Sequence, residues 1–347
     1  MYLTEGEFGE SLGVPLSGYP QGEDLKLHFP TQGFSGGRLQ LAEIMLRELD
    51  EELDFLDAGL YENRLKSQNW TIERQYLASS DFQARVGGKA GRYQIQMSIG
   101  VALIALSTSV ELCALQENSQ TSELATQYSE GESSIESLFP GVTAPEQIGL
   151  EALGLAQDVC LLLYFHELAH AIYGHCDYIV YNRNASSDER RALEFDADFN
   201  AGTMFGLWVK SLPAEHRKPK GYEDFLGRLI RASFLLSTIL KAVSGQSTNY
   251  HLPTNRMIAF LSGGALAFDR TDKSPKFSSD SEGDSYWDDK VLTHTASIKA
   301  ALGRSSLKYF MGTERDIKID YDEISSVTYA ARDTLKDGPL VNFRLNV

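Results

Sequence analysis

Cysteine is scarce in this sequence, and so are the signals of export. The chain of 347 residues has three cysteines, too few and too widely separated for a disulfide framework: Cys113, Cys160 and Cys176. At the N-terminus no basic flank precedes a hydrophobic core, so the pattern of a secretory signal is absent. These two absences predict a cytoplasmic protein.

Positive charge is the second shortage. The chain has 32 lysines and arginines against 48 aspartates and glutamates, which gives a formal net charge of −16 at pH 7. Phosphate groups are bound by concentrated lysine and arginine, and the only short basic cluster lies between Lys210 and Lys220. Nucleic acid is therefore not an expected partner, whereas a basic or neutral protein substrate would suit the charge.

Long hydrophobic runs are also missing. The most hydrophobic stretch outside the motif described below, Ile99 to Leu115, is interrupted by Ser107, Thr108, Ser109 and Glu111. It is shorter than a helix that spans a bilayer, so we expect it in the core and expect no membrane association. The overall hydrophobic content of 42% is sufficient for a globular core.

What the sequence does contain is a metal motif. His166-Glu167-Leu168-Ala169-His170 has the pattern HExxH. Residues four apart on a helix lie about 40° apart around its axis, so His166 and His170 direct both imidazoles to one point. Glu167 lies about 100° from His166. Its carboxylate can therefore approach a metal-bound water rather than the metal, as the general base of a zinc protease does.

A catalytic zinc ion needs a third protein ligand, and an ExxxD phrase supplies a candidate. Glu194 follows His170 by 24 positions, on a second predicted helix. Two histidines and one carboxylate leave the fourth tetrahedral position open for water or a substrate carbonyl. Asp198 lies one turn after Glu194, and we expect it to hydrogen-bond the non-ligating nitrogen of a zinc histidine, His166. Asp196 lies on the opposite face, which favours a salt bridge or a capping role.

The hydrophobic surroundings argue against a chance match. Leu161 to Phe165 precede the motif, and Ala171 and Ile172 follow it. Two imidazoles and a carboxylate would otherwise be buried without partners at considerable cost in free energy, and a metal ion removes that cost. The alternatives are a purely structural metal site or a catalytic site that has decayed.

A different family of zinc proteases can be compared with the same residues. The metzincin pattern requires glycine at 173 and histidine at 176, where this chain has Tyr173 and Cys176. His175 follows Gly174, a residue typical of a helix end. We therefore expect His175 to cap carbonyls or to support a ligand rather than to bind zinc.

Hydrophobic periodicity predicts an α+β protein, mainly helical with a small sheet. Arg92 to Ile99 alternates polar and apolar residues, as in a half-buried strand. This strand is interpreted either as an edge strand that aligns a substrate or as an ordinary core strand. Helices are expected over Gly36–Asn63, Pro145–Gly174, a segment with Asp188 as N-cap, and residues 225–239.

Composition divides the chain into three regions. Residues 1–89 are interpreted as an N-terminal helical region and residues 90–269 as a catalytic core. Residues 270–347 begin with an acidic, serine-rich break over Arg270–Asp289 and are interpreted as a linker and C-terminal region.

The two metal phrases, His166–His175 and Leu193–Asp198, resemble those of the cytoplasmic gluzincins related to the phage-exclusion peptidase Lit. The phrase Tyr250–Arg256 is similar to a His-Pro phrase with a following arginine in such proteins, although Leu252 intervenes here. The resemblance implies a zincin-like core and a zinc endopeptidase, of a kind that could cleave a host protein in defence against phage. Membrane-embedded zinc proteases share both motifs, but the transmembrane helices expected of them are missing.

The mechanism that follows from these motifs is hydrolysis without a covalent intermediate. Zinc would activate a bound water and polarise the scissile carbonyl, while Glu167 carries a proton from the water to the leaving amine. Candidate donors to the oxyanion are Tyr250, His251 and Arg256, each of which could equally be structural. The alternative function is a non-catalytic, zinc-binding regulatory or interaction protein, and the presence of Glu167 favours the enzyme.

Overall fold

The computed structural model describes residues 14–16, 20, 25, 37–117, 148–212, 218–244, 251–269 and 279–345. This part of the chain is 76% helical and has one mixed sheet of four strands, as the α+β prediction requires. Its strands are β1 (Val14–Pro15), β2 (Thr71–Ala78), β3 (Ala84–Lys89) and β4 (Arg92–Ser98). Its helices are α1 (Gly37–Leu60), α2 (Ile99–Glu117), α3 (Leu150–Ile172), α4 (His175–Tyr181), α5 (Ser187–Ser211), α6 (Tyr222–Ser244), α7 (Pro253–Asp269), α8 (Asp280–Leu302), α9 (Glu314–Glu323) and α10 (Tyr329–Asp337).

The sheet has the strand order β1-β2-β4-β3. Strand β4 pairs in parallel with β2 on one side and antiparallel with β3 on the other, so it lies inside the sheet. The interpretation of Arg92–Ile99 as an edge strand is therefore wrong, and the core-strand alternative is correct. Within the part of the chain that is described, the edge strand on this side is β3.

Two helices form the centre of the core. By length and composition, segments Ile99–Gln116 in α2 and Leu150–Ile172 in α3 are apolar enough to cross a membrane, and they are 78% and 89% buried inside the fold. Helices α2 and α3 pack against each other, and α1 and α6 pack against α3. The predicted core position of Ile99–Leu115 is confirmed.

Helix α3, which contains the HExxH motif, begins later than its sequence suggested. Pro145 lies outside the described residues, and the backbone at Gly149 is extended, with φ −68° and ψ 146°, so the helix starts at Leu150. At its other end Gly174 has φ +82°, the left-handed conformation that glycine adopts readily after a helix. The helix end at this glycine is thus confirmed.

Helix α5, which contains the ExxxD motif, is capped by Ser186. The hydroxyl of Ser186 accepts a hydrogen bond from the backbone N–H of Glu189, and the Glu189 carboxylate accepts one from the backbone N–H of Ser186. The expectation of Asp188 as N-cap is wrong, because this reciprocal capping box satisfies two backbone donors at once. Asp188 lies instead in the first turn.

Helices α5 and α7 approach closely enough for their backbones to touch. A Cβ atom added at Gly202 would lie 1.9 Å from the carbonyl oxygen of Phe260, and one added at Gly263 would lie 1.8 Å from that of Phe199. Only glycine permits this approach. The contact places the start of α7 beside the ExxxD motif.

The C-terminal helices pack on the rest of the protein. Helix α8 contacts α2 and α6, and α10 contacts α5. Helix α8 begins at Asp280, where the hydroxyl of Ser279 caps the helix by accepting from the N–H of Glu282, so the expected break over Arg270–Asp289 is wrong from Asp280 onward. Contacts therefore cross the boundary drawn at 269/270, and the division into three regions stays a prediction.

Candidate metal centre

Three buried side chains converge where α3 and α5 pack together. The Nε2 atoms of His166 and His170 lie 3.1 Å apart. The Glu194 carboxylate approaches both rings, with Oε2 3.2 Å from Nε2 of His166 and Oε1 3.7 Å from Nε2 of His170. This is the set of donors that the two motifs predicted, and it could hold a metal ion.

The donors fit a metal ion in both spacing and chemistry. Zinc binds imidazole nitrogen and carboxylate oxygen at about 2.0–2.2 Å, so tetrahedral ligand atoms lie about 3.4 Å from one another. The three separations above, 3.1, 3.2 and 3.7 Å, bracket that value. In addition, Oε2 of Glu194 is buried, and within the described ranges it has no hydrogen bond of full geometry, although Nε2 of His166 lies 3.2 Å away.

The electrostatics of the two imidazoles differ. Burial by itself would lower the pKa of His166, but the nearby carboxylates of Asp198 and Glu194 outweigh it and raise that pKa to about 9. Burial lowers the pKa of His170 well below its ordinary value. At 3.1 Å the two Nε2 atoms either share a proton in a hydrogen bond or both face a metal ion.

A carboxylate supports His166 from behind. Oδ1 of Asp198 lies 2.7 Å from Nδ1 of His166, which is the contact expected from the ExxxD spacing. Arg256 binds the same carboxylate through both Nε and Nη2, at 2.7 and 2.6 Å. Burial opposes ionisation of Asp198, but Arg256 and His166 lower its pKa. The guanidinium of Arg256 therefore neutralises the buried carboxylate that orients His166.

A second set of residues lies behind His170. The Nδ1 atoms of His170 and His175 are 3.0 Å apart, and Nε2 of His175 lies 3.3 Å from Oδ2 of Asp196. Oδ1 of Asp196 lies 2.7 Å from Nε of Arg332 and 3.3 Å from Nζ of Lys336, both on α10. Asp196 thus has the salt bridge that its helix face predicted.

Glu167 is buried beside the ligand set. One of its oxygens accepts a hydrogen bond from the backbone N–H of Val86 in β3. The other, Oε1, has no hydrogen-bond partner among the residues whose positions are described. Burial raises the pKa of Glu167 to about 7.

The expected oxyanion donors are engaged elsewhere or lie outside the described residues. Nδ1 of His251 is 2.8 Å from Oδ1 of Asp320, and its Nε2 is 3.2 Å from Oγ1 of Thr328. Both ring nitrogens therefore hold the C-terminal segment against α7. Arg256 binds Asp198 as described above, and Tyr250 lies outside the described residues. We assign no oxyanion donor.

Several residues around the site were not found from the sequence: Val86, Asp320, Thr328, Arg332 and Lys336. For only two of them did the sequence contain a usable pattern: Arg332 and Lys336 are four positions apart, which places two cations on one face of a helix. Nothing in the sequence indicated that this face meets Asp196.

Comparison of the chain with protein-family models, with curated proteins and with solved structures finds no match in any of the three. The resemblance to the Lit-related gluzincins stays a prediction that depends on the two metal motifs.

Proposed function

We propose that this chain is a zinc endopeptidase with a zincin-like core, which hydrolyses peptide bonds of a protein substrate with Glu167 as general base. The observation that carries the proposal is the buried carboxylate of Glu167 beside His166, His170 and Glu194, whose Oε1 has no hydrogen-bond partner among the described residues. A structural zinc site is closed by four protein ligands, whereas three ligands with an adjacent carboxylate are typical of a hydrolytic site.

Each member of the cluster has a separate task in this proposal. Nε2 of His166, Nε2 of His170 and the carboxylate of Glu194 would hold the zinc ion. Zinc bound there would act as a Lewis acid toward the scissile carbonyl and would lower the pKa of a water molecule. Glu167 takes the proton of the attacking water on its free oxygen and passes it to the leaving nitrogen.

The edge strand β3 is a candidate binding position for an extended peptide substrate. Because the N–H of Val86 points to Glu167, the Val86–Ile95 pair is the kind that exchanges no hydrogen bonds across the ladder. Hydrogen-bonded and non-hydrogen-bonded pairs alternate along an antiparallel ladder, so Ala84 and Gly88, two positions either side of Val86, also direct their backbone groups away from β4. Among the described strands β3 pairs only with β4, and a peptide added to this edge would lie next to Glu167, although Ala84 to Gly87 are themselves buried.

The proposal is tested by comparing new protein N-termini in a cell lysate after incubation with the wild type and with Glu167→Gln. The matched control is Glu73→Gln, which removes the same charge from an exposed position on β2. We expect new termini with the wild type and Glu73→Gln but not with Glu167→Gln, although all three bind zinc. Comparing lysates of uninfected and phage-infected bacteria would test whether cleavage is part of a defence against phage, as the resemblance implies.

Two results would overturn the proposal. Identical termini with the wild type and Glu167→Gln would remove Glu167 from the reaction. Zinc binding by the wild type without any new terminus in either lysate would favour the alternative, a non-catalytic zinc-binding regulatory or interaction protein.

A further inference from the structure

The two metal histidines are supported by different groups, and the group behind His170 is unusual. His166 faces a carboxylate directly, whereas His170 faces another histidine. We propose that His175 and Asp196 form a positioning relay that keeps the ring proton of His170 on Nδ1 and connects the metal site to α10. This inference rests on the proposed metal site and deepens it.

The relay is buried, and its link between Nε2 of His175 and Asp196 is a close contact that lacks hydrogen-bond geometry. His175 is 0% exposed and Asp196 is 2% exposed. From the metal site outward, the separations are 3.0 Å between Nδ1 of His170 and Nδ1 of His175, and 3.3 Å between Nε2 of His175 and Oδ2 of Asp196. The same Oδ2 accepts a hydrogen bond of 2.8 Å from the side chain of Asn200.

The charges at the outer end decide the direction of the hydrogen bonds. Asp196 is ionised beside Arg332 and Lys336, and an ionised carboxylate only accepts hydrogen bonds. Its Oδ2 therefore favours a proton on Nε2 of His175, which lies 3.3 Å away. In that arrangement Nδ1 of His175 is available as the acceptor for a proton on Nδ1 of His170, which lies 3.0 Å away.

The position of the ring proton of His170 follows from this arrangement. If Nδ1 of His175 accepts, Nδ1 of His170 must donate, and Nε2 of His170 keeps its lone pair. That lone pair faces Nε2 of His166 and the Glu194 carboxylate, where the metal would lie. A proton on Nε2 of His170 would instead block ligation. The relay thus selects the tautomer that can bind metal.

The chain turn at Gly174 brings His175 back against His170. Gly174 has φ +82°, and a Cβ atom there would lie 2.6 Å from Cβ of Phe343. Any other residue at this position would be both strained and crowded. The outer end of the relay belongs to α10, so the C-terminal helix influences the metal site without touching it.

The tautomers can be read directly in the wild-type chain. Long-range ¹H–¹⁵N spectra of histidine-labelled, metal-free protein resolve which ring nitrogen bears the proton, and the chain has only 7 histidines to assign. We expect the proton of His170 on Nδ1 and that of His175 on Nε2. A proton on Nε2 of His170, or a doubly protonated His175, would overturn the relay.

Zinc affinity of full-length variants, measured by competition with a chelator, gives a second readout. His175→Leu removes the acceptor and should weaken binding about 10 to 100-fold, as loss of a group behind a metal histidine does. His175→Asn, which returns an amide oxygen near the position of Nδ1, should restore most of that affinity. Arg332→Met should weaken binding to a smaller extent, and the control Arg315→Met, at an exposed site on α9, should leave it unchanged.

The outcomes separate the relay from the metal site itself. If the wild type binds no zinc, the proposed metal site fails. If the wild type binds zinc and folded His175→Leu binds it equally well with the same His170 tautomer, only the relay fails. If His175→Leu does not fold, the wild-type spectra and the pair Arg332→Met and Arg315→Met decide the question.

Discussion

Nδ1 of His166 lies 2.7 Å from Oδ1 of Asp198, and this contact joins the two helices that supply the candidate metal ligands. The same carboxylate forms a two-point ion pair with Arg256 at the start of α7. Three helices therefore meet at one carboxylate. The orientation of the His166 ring thus depends on how these helices pack.

Asp198→Ala should affect metal affinity and stability together. Loss of the group behind His166 should weaken zinc binding about 10 to 100-fold. Arg256 would be left buried without its carboxylate, which typically costs about 3–5 kcal/mol in the free energy of unfolding. Chelator competition and denaturant unfolding measure the two effects, and Asp198→Asn should be milder in both. Wild-type zinc affinity in Asp198→Ala would contradict the assignment.

The purified chain should contain about one zinc ion per molecule, because its donor set is that of a single three-ligand site. Removing the metal with a chelator should lower the melting temperature, since an ion that binds only the folded state stabilises it. Elemental analysis and thermal unfolding check both statements. Glu194→Ala should show little zinc and little change on chelation, and a full complement of zinc in that variant would exclude Glu194 as a ligand.

Glu167→Gln should keep its zinc while hydrolysis falls about 10² to 10⁴-fold, because the ligands persist but the proton acceptor is lost. The measurement is the rate of substrate cleavage at matched zinc content, with Glu73→Gln as the reference for lost charge. Cleavage at the wild-type rate would mean that another group accepts the proton.

Gly202→Ala should destabilise the protein by about 1–3 kcal/mol, because the added methyl group would force α5 away from α7. Zinc affinity should fall as well, since Asp198 lies on α5 and Arg256 on α7. Gly59→Ala is the control: no described atom lies within 4 Å of its added Cβ, so it should stabilise α1 by about 0.5–1 kcal/mol. Equal melting temperatures for the two variants would show that the helices tolerate separation.

His251→Ala should reduce stability rather than catalysis. The change removes the contacts to Asp320 and Thr328 and leaves the partly buried carboxylate of Asp320 with one partner fewer, at a cost of about 1–3 kcal/mol. Zinc content and cleavage rate per folded molecule should remain close to wild type. A large fall in rate at unchanged stability would return His251 to the catalytic role that its sequence phrase suggested.

Local patterns were sufficient to predict the inner part of the site. The spacing of His166 and His170, and of Glu194 and Asp198, places each pair on one helix face whatever the rest of the chain does. The position of Asp196 on the opposite face followed from the same geometry. Helix ends were less predictable, because Ser186 and Asp188 are both good caps and only the reciprocal bond with Glu189 decides between them.

The sequence by itself thus determined which side chains on each of the two helices could face a metal ion, and the mainly helical class, because these depend on residues within a few positions of each other. Tertiary structure alone decided that β3 rather than β4 is the edge strand, since that requires knowing which strands pair. It also decided that His251 holds the C-terminal segment and that Arg332 reaches Asp196, 136 positions away. Such contacts depend on how distant helices pack, and helical periodicity contains no information about the partner that each face will meet.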